Sequence, residues 1–392
     1  MVDVFFITPG NSTGIYQSLS KDYAAVEPPT WALLLAESCR AAGFTVGLCD
    51  ANAERLDREK VLDRVREADP RLICFVVYGQ NVNAGTVNMG GAVYLSEHIK
   101  KNYPKTPISF IGSHVQALPI QTLEKEPSID FAFTNEGVYA LRNVLGAPKI
   151  DEEHLKSIKG LVKRDGGEIG LTPPEFVVPQ DRMDQDLPGY AWDLLPSNEK
   201  PLDVYRSPMW HAEYDPAARS PYAAIQTSLG CQFSCEFCMI NMINRNDTEE
   251  IGVAGNYSKM RHWSPEFMIR QFDTLVGLGV YTIKITDELF LFHKKYYEPL
   301  CRALKEKPYS DKLQMWAYSR IDTIRDPELL ALVRSAGIRW LALGIESGSH
   351  KVRLEVSKGK FEEVDIKRVV QQIHNADINI MANYIFGLPG DT

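Results

Sequence analysis

Apolar and polar residues alternate in residues 1–147 in a way that predicts a series of strands and helices. Short apolar runs such as Val4–Ile7 and Leu72–Val77 are followed by stretches with helical spacing, of which Thr30–Ala42 ends at Gly43. A continuous apolar run is typical of a strand buried on both faces of a parallel sheet, and a glycine after a helical stretch ends the helix. Five such strands with helical crossovers predict a doubly wound α/β domain.

The same alternation returns from residue 221 to the end of the chain. Apolar runs predict five further strands, at Ala223–Ser228, Thr282–Ile285, Leu313–Ala317, Trp340–Leu343 and Ile378–Ile385. Repeated strand and helix units predict a run of βα units over residues 221–392, with its functional groups at the carboxyl ends of the strands.

Residues 148–220 are predicted to be a connector between these two domains. Two short apolar runs, Ile158–Val162 and Ile169–Leu171, are joined through Asp165-Gly-Gly167 and predict a hairpin. Proline-rich loops and aromatic residues follow.

Composition and charge narrow the class of protein. The chain has 392 residues, 44% apolar and 24% charged, as in ordinary globular proteins. A net charge of −8 gives no electrostatic sign of nucleic-acid binding. No apolar run approaches the roughly 20 residues of a membrane-spanning helix, and the amino terminus lacks the features of a signal peptide. We therefore expect a cytoplasmic protein.

Three cysteines, Cys231, Cys235 and Cys238, follow the first strand of the second region with the spacing C-x3-C-x2-C. Thiolates this close on a tight loop can ligate one metal cluster but can scarcely form disulfides. Three protein ligands would leave one iron of a [4Fe–4S] cluster open, whereas fully ligated clusters have four cysteines. A zinc knuckle is the alternative, but structural zinc needs a fourth ligand, and no further cysteine or histidine lies nearby in the sequence.

This cysteine pattern, with the aromatic Phe237 before the last cysteine, resembles the signature of the radical S-adenosylmethionine (SAM) enzymes. The resemblance implies that the open iron binds SAM and that an electron from the cluster cleaves it to a 5′-deoxyadenosyl radical. It also implies an electron donor such as flavodoxin or ferredoxin, and a small-molecule or metabolite substrate. The fold that it implies for residues 221–392 is a partial (β/α)6 barrel, whose sixth strand would have to follow Thr392, so we expect the barrel to be truncated after the fifth strand.

Motifs at the ends of the later strands match the SAM-binding positions of that family. Asp287 and Glu288 could hold the amino group of methionine, or they could be an acidic pair at a helix amino terminus. Ser319 and Arg320 could bind its carboxylate, with a structural salt bridge from Arg320 to Asp322 as the alternative. The resemblance further implies ribose binding by Gly344, Glu346 and Ser347, and packing beside adenine by Phe386, Gly387 and Leu388. An ordinary turn after the strand is the alternative for the last three.

Loops at the predicted strand ends of the first domain are rich in glycine and small polar residues. They resemble the cobalamin-binding domain that precedes many radical SAM enzymes. The implied cobalamin contacts are Pro9, Gly10, Tyr78, Gly79, Gln80, Gly112, Ser113, His114, Val115, Asn135, Glu136 and Gly137. The loop after the first strand lacks Asp-x-His-x-x-Gly, so no axial histidine is expected there, and His114 is expected at the periphery of the cofactor. Alternatively, this domain has lost its cofactor and only supports the barrel.

The function implied by the two resemblances is that of a cobalamin-dependent radical SAM enzyme. Methyl transfer from methylcobalamin to an unactivated carbon is the first hypothesis, and ring closure or rearrangement by the same pair of domains is the second. Methylthio transfer is less favoured because Cys49 and Cys74 fall within predicted strands and Cys39 within a helix. A cobalamin- or cluster-binding sensor or scaffold is the non-enzymatic alternative.

Overall fold

A computed structural model describes residues 1–10, 14, 17–79, 82–233, 235–240, 260–324, 326–361 and 363–391. The chain divides into two compact units, the first built on Met1–Asn198 and the second on Glu199–Cys238 and Ser258–Thr392. In the described ranges, no helix is both long enough and apolar enough to span a membrane.

The first unit is built around a seven-stranded sheet with the order β2-β1-β3-β4-β5-β6-β7. Its strands are β1 Val2–Thr8, β2 Val46–Asp50, β3 Pro70–Val76, β4 Ile108–Ile111, β5 Phe131–Phe133, β6 Leu161–Asp165 and β7 Glu168–Leu171. Strands β1 to β5 pair in parallel, whereas β6 and β7 pair antiparallel at one edge. The hairpin predicted in the connector therefore extends this sheet.

Helices of the first unit connect its parallel strands or follow the last of them, β5. They are α1 Leu19–Asp22, α2 Thr30–Ala41, α3 Arg58–Ala68, α4 Met89–Asn102, α5 Ser113–Ala117, α6 Pro119–Lys125, α7 Val138–Gly146, α8 Glu152–Leu155 and α9 Met183–Asp186. Residues 4–7 of β1 and 72–76 of β3 are consecutively buried, as expected of strands covered on both faces. Val82–Asn88 is a 3-10 helix, and the α-helix α4 follows it directly from Met89.

The second unit is built around a five-stranded parallel sheet with the order β14-β13-β12-β11-β8. Its strands are β8 Tyr222–Ile225, β11 Thr282–Ile285, β12 Gln314–Arg320, β13 Ile338–Glu346 and β14 Asn379–Tyr384, and a short antiparallel pair is formed by β9 Ser228–Leu229 and β10 Arg261–His262. Its helices are α10 Pro265–Gly277, α11 Lys294–Lys305, α12 Pro327–Ser335, α13 His350–Val356 and α14 Ile366–Asn375. The α/β class, with a parallel sheet in each region, is confirmed.

Local sequence explains where the helices of the second unit begin. The Ser264 hydroxyl accepts a hydrogen bond from the Phe267 amide at 3.1 Å, and Pro265 occupies the first helical position. Asp326 accepts from the Glu328 amide in the same way and is followed by Pro327. Such caps satisfy amide groups that have no partner within the helix.

The register of the sheet in the second unit assigns side chains to its two faces. Lys284 is aligned with Trp316, which is aligned with Trp340, and Arg320 is aligned with Gly344. Because side chains alternate along a strand, Trp316 and Arg320 point to the same face of the sheet. We call this the luminal face, and all its strands end at one edge.

Candidate active site

The cysteine loop begins where β8 and β9 end. Gly230 adopts a positive φ of 84°, which favours glycine, and turns the chain into Cys231. Cys231 is buried, whereas Cys235 and Cys238 are partly buried, and none of the three forms a disulfide bond. The Cys238 amide donates to the Cys235 carbonyl at 3.1 Å, which closes a tight turn.

Helix α13 anchors the cysteine loop. The Glu236 amide donates to the carbonyl of Val356 at 2.9 Å, at the end of that helix. The Phe237 side chain packs against a small apolar cluster of Val352, Val356 and Leu388. Phe237, the aromatic residue before the last cysteine, thus attaches the loop to helix α13 and to Leu388.

Burial raises the pKa of the Cys231 thiol to about 12, and the nearby charge of Glu288 adds to this rise. Burial also raises the pKa of Cys235, while the positive charge of Arg320 opposes the increase. Metal binding must displace these protons, because the thiolate is the ligand. No three His, Cys, Asp or Glu side chains within the described ranges are arranged around a single metal ion. A donor set of three thiols fits an iron–sulfur cluster with one open iron.

Asp287 binds the start of the cysteine loop. Its Oδ1 accepts from the Thr227 amide at 2.6 Å, and its Oδ2 accepts from the hydroxyls of Thr227 and Ser228 at 2.5 and 2.7 Å. Burial raises the pKa of Asp287, and these hydrogen bonds oppose the rise. Both carboxylate oxygens therefore hold β11 against the segment that leads into the cysteines, rather than facing outward to an ammonium group.

Glu288 and Glu346 are the other carboxylates near the cysteine loop. Burial, followed by the charge of Asp287, raises the pKa of Glu288 to about 7, and the charge of Lys284 opposes this rise. Burial likewise raises the pKa of Glu346 to about 7. A cationic ligand nearby would favour the ionised form of either group.

Glu346 lies in a β-bulge that neighbouring residues accommodate and hold in place. Its φ is 65°, uncommon for a residue other than glycine, and the pairing of β13 with β14 shifts between Gly344 and Glu346. A Cβ on Gly344 would come within 2.5 Å of the Glu346 Oε1 atom, so glycine leaves room for this carboxylate. The Ile385 amide donates to the Glu346 carbonyl at 2.8 Å and fixes the bulge.

Arg320 ends β12 and forms a buried ion pair with Asp322. Its Nε donates to Oδ1 at 2.6 Å and its Nη2 donates to Oδ2 at 2.5 Å and to the Lys360 carbonyl. Phe233 and Phe361 cover the guanidinium, with ring centroids 3.8 and 4.4 Å from its carbon. The salt-bridge alternative considered from the sequence is thus present, and it occupies the donors that a bidentate carboxylate would need.

The remaining residues predicted to bind SAM differ in position. The Ser319 hydroxyl pairs with that of Thr323 at 2.8 Å, and Ser319 lies on the face opposite to Arg320. Ser347 is buried, and its Oγ accepts from the Ser349 amide at 3.1 Å. Leu388 is buried, Gly387 has a positive φ of 84°, and Phe386 is 92% exposed.

In the first unit, the predicted loops lie at the carboxyl ends of parallel strands β1, β3, β4 and β5. A Cβ on Gly112 would come within 2.0 Å of the Val77 carbonyl oxygen, and one on Gly79 within 2.5 Å of the Ala84 backbone. Gly10 lies similarly close to residue 52, with 3.1 Å between the built Cβ and a Cα atom. Glycine at these positions permits close backbone approach.

Polar side chains at the carboxyl ends of these strands fall into two groups, those that hydrogen-bond within the protein and those without such a partner among the described residues. Asn135 donates to the Glu175 carbonyl at 2.7 Å, and Glu136 accepts from the Val178 amide at 2.5 Å, so both hold the connector. The Ser113 hydroxyl is buried and has no hydrogen-bond partner among the described residues. An orphaned hydroxyl beside close-packed glycines fits a ligand-binding loop.

The other predicted cobalamin contacts differ in their burial and in their hydrogen-bond partners. His114 is half-buried and its Nδ1 lies 3.1 Å from the Thr86 hydroxyl, while burial, followed by the charge of Lys125, lowers its pKa. The Tyr78 hydroxyl accepts from Gln116 at 2.9 Å, and burial raises its pKa. Val115, Pro9 and Gly137 are buried. Gln80 lies outside the described residues.

Sequence reasoning missed several residues of the site in the second unit. Thr227 and Ser228 hold Asp287, and Phe233 covers Arg320. The buried Lys284 lies over the rings of Trp316 and Tyr318, at 4.9 and 5.5 Å from their centroids. A lysine within an otherwise apolar strand run was the available signal for the last of these.

Comparisons with known proteins agree with this architecture. The family model for the radical SAM superfamily matches residues 225–392, and that for the B12 binding domain matches residues 19–145. Anaerobic magnesium-protoporphyrin IX monomethyl ester cyclase of Cereibacter sphaeroides is 25% identical over 395 residues, covering 96% of this chain and 56% of the relative. Hopanoid C-3 methylase of Methylococcus capsulatus is 26% identical over 351 residues, covering 86% and 57%. The chain thus spans little more than half the length of these two relatives.

Solved structures share the fold at low sequence identity. The radical SAM methyltransferase TsrM from Kitasatospora setae, solved with tryptophan substrate and a SAM analogue, superimposes with a TM-score of 0.72 at 18% identity, covering 100% of this chain and 69% of that one. The cobalamin-dependent radical SAM enzyme OxsB, with aqua-cobalamin and SAM bound, gives a TM-score of 0.67 at 17% identity, covering 98% and 49%. The cofactors expected from the sequence, a [4Fe–4S] cluster, SAM and cobalamin, are those of this family. The chain therefore carries a B12 binding domain followed by a radical SAM domain, and it is similar over this length to cobalamin-dependent radical SAM enzymes.

Proposed function

We propose that this chain forms the catalytic part of an enzyme that methylates an unactivated carbon of a small-molecule substrate. The arrangement at one edge of the five-stranded sheet carries the proposal. The cysteine loop follows β8 and β9, Glu288 follows β11, and Arg320 and Glu346 end β12 and β13. When bound, the cluster and SAM supply a 5′-deoxyadenosyl radical, and cobalamin supplies the methyl group.

The three cysteines are proposed to hold the cluster, each as a thiolate. Their loop is tied to α13 through the Glu236 amide and the Phe237 side chain, and to β11 through Asp287. These attachments fix the loop before any cofactor binds, which limits the entropy lost on binding.

SAM is proposed to lie across the strand ends, but with different contacts from those expected from sequence. Glu288, rather than Asp287, would accept hydrogen bonds from the methionine ammonium, because both Asp287 oxygens are engaged. Glu346 would accept from the ribose hydroxyls, with Gly344 and Ser347 shaping its bulge. Residues 386–388 would pack beside the adenine.

The first domain, residues 1–147, is proposed to hold cobalamin through the loops after β1, β3, β4 and β5. Backbone approach at Gly10, Gly79 and Gly112, and the orphaned Ser113 hydroxyl, support this assignment. Residues 148–220 would form the connector, and residues 221–392 the radical SAM barrel. His114 would contact the cofactor at its periphery.

The remaining proposals concern the setting of the reaction. An electron donor such as flavodoxin or ferredoxin would reduce the cluster in the cytoplasm. Ring closure is the second candidate reaction, and the similarity to magnesium-protoporphyrin IX monomethyl ester cyclases favours it.

Methyl transfer can be tested without the substrate. The anaerobically reconstituted protein, supplied with cobalamin, a low-potential reductant and SAM labelled in its methyl group with deuterium, is analysed by mass spectrometry. We expect trideuterated methylcobalamin together with S-adenosylhomocysteine. Formation of 5′-deoxyadenosine without labelled methylcobalamin would favour ring closure, and the absence of both products would contradict the proposal.

The Cys235→Ala variant tests whether the cysteine loop holds the cluster. It should lose 5′-deoxyadenosine formation, because cluster ligation is removed. The Cys301→Ala variant is the matched control, since Cys301 is a fully buried cysteine in α11 with no role in the site. Equal deoxyadenosine formation by both variants would exclude the cysteine loop as the cluster site.

A further inference from the structure

The guanidinium of Arg320 has one donor group that the surrounding protein does not use. Its Nε and Nη2 donate to Asp322 and to the Lys360 carbonyl. Its Nη1 is buried and has no hydrogen-bond partner among the described residues. A buried donor without a partner is costly, and such groups usually serve a ligand or a function.

The residues around Arg320 determine the direction in which its Nη1 can donate a hydrogen bond. Phe233, a member of the cysteine loop, covers one part of the guanidinium at 3.8 Å, and Phe361 covers another at 4.4 Å. The bidentate pair with Asp322 prevents rotation about the last bonds of the side chain, because both donors on that edge are held. The guanidinium is therefore rigid and is fastened to the loop that carries the cysteines.

Cys235 lies close to the Arg320 side chain. It follows Phe233 by two residues, and Arg320 acts on its thiol both through charge and through side-chain contact. The charge of Glu346 also reaches Cys235. The Cys235 sulfur, once it is a cluster ligand, would be a negatively charged acceptor within reach of Nη1.

We propose that Arg320 is a positioning residue that donates an N–H···S hydrogen bond from Nη1 to the Cys235 sulfur and thereby raises the reduction potential of the cluster. Hydrogen bonds to cluster sulfurs stabilise the more negative, reduced state. Asp322 keeps the guanidinium oriented and balances its charge. This role differs from bidentate binding of the methionine carboxylate, for which Arg320 no longer has two adjacent nitrogens available, since Nε and Nη2 are engaged.

The inference rests on ligation of the cluster by the three cysteines. Iron and sulfide content is therefore measured on every sample. A sample without iron concerns the proposed function, whereas a sample with a normal cluster tests Arg320.

The decisive variant changes the donor and leaves the charge balance intact. Arg320→Met with Asp322→Asn removes one positive and one negative group, so the net charge beside the cluster is unchanged. The reduction potential is measured by electron paramagnetic resonance during a redox titration without SAM. We expect the double variant to have a more negative potential than the wild type. An unchanged potential in a protein with normal iron content would overturn the proposal.

Arg334→Gln is the matched control. Arg334 also forms an ion pair, in which its Nε and Nη2 both donate to Oδ2 of Asp377, but Asp377 is exposed and follows α14, far along the chain from the cysteine loop. Its loss should leave the potential unchanged. A shift equal to that of the double variant would mean that loss of any such pair alters the cluster, and would also overturn the proposal.

A second measurement uses the wild-type protein and guards against a variant that fails to fold. Protein labelled with nitrogen-15 in arginine is reduced, and its cluster signal is examined by pulsed electron paramagnetic resonance. A weak nitrogen-15 coupling is expected through the N–H···S bond. Absence of this coupling would contradict the inference.

Binding of SAM to the oxidised holoprotein is measured in parallel. A large loss of SAM affinity in the double variant, with an unchanged potential, would assign Nη1 to the cofactor instead.

Discussion

Replacement of Asp287 tests whether this carboxylate holds the cysteine loop or binds SAM. In Asp287→Ala, the Thr227 amide and the hydroxyls of Thr227 and Ser228 lose their acceptor inside the protein. Each buried donor left unsatisfied costs about 1–3 kcal/mol. Because the hydroxyls can turn towards other acceptors, the three together should lower the free energy of unfolding by about 3–6 kcal/mol.

Asp287→Asn should be milder, at about 1–2 kcal/mol, because the amide oxygen still accepts from the Thr227 amide and the hydroxyls can accept from its nitrogen. Asp326→Ala is a suitable control, since it removes an aspartate that caps α12 at the surface and should cost about 1 kcal/mol. Unfolding is followed by tryptophan fluorescence in denaturant, and iron content after anaerobic reconstitution reports the geometry of the loop.

We expect Asp287→Ala to lose both stability and iron. If the variant instead keeps its unfolding free energy and its iron but loses SAM affinity, Asp287 binds the methionine ammonium as the sequence first suggested. Glu288→Gln provides the complementary result, with normal iron and stability but weakened SAM binding.

Three further predictions follow from buried groups. Burial lowers the pKa of His211 to about 3, so the folded state keeps it neutral while the unfolded chain takes up a proton below about pH 6.5. The contribution of neutral His211 to stability is complete above that pH and is lost as the pH falls, by about 2 kcal/mol between pH 6.5 and 4.5. The His211→Phe variant should lack this part of the pH dependence of the unfolding free energy, and an unchanged dependence would refute the prediction. Gly112→Ala should lose cobalamin binding in an absorbance titration because its Cβ would meet the Val77 carbonyl, whereas Gly146→Ala, where nothing lies within 4 Å, should bind normally. Phe237→Ala should lower iron retention during gel filtration because the loop loses its contact with α13, and retention equal to that of the wild type would exclude this anchoring role.

The hydrophobic pattern was sufficient to predict the sheets, because each strand and helix carries its own periodicity. The runs at Val4–Ile7 and Thr282–Ile285 lie within β1 and β11. The cysteine loop was also readable, since its three ligands lie within eight residues of the sequence. Local features of this kind need no knowledge of the tertiary structure.

The hydrogen bonds of the site could not be predicted in the same way. Asp287 and Thr227 are 60 residues apart, and Asn135 reaches a carbonyl 40 residues away. No local pattern distinguishes the carboxylate of Asp287, which is committed to the loop, from that of Glu288. The two-residue strands β9 and β10 were missed because they are too short to show periodicity.

The aromatic residues on the luminal face explain why the functional groups of the second unit are expected at the carboxyl ends of its strands. Trp210, which precedes β8, packs against Trp316 and Trp340 with ring centroids 5.0 Å apart in each pair. These two residues lie on the luminal face nearer the amino ends of their strands than Arg320 does. Aromatic rings thus fill that half of the face. Under the proposed function, a ligand approaching the cysteine loop would meet Glu288, Arg320 and Glu346 instead. Because Arg320 is already paired with Asp322, we expect discrimination between ligands at this edge to fall mainly to the two carboxylates, whose charge a bound ammonium group would stabilise.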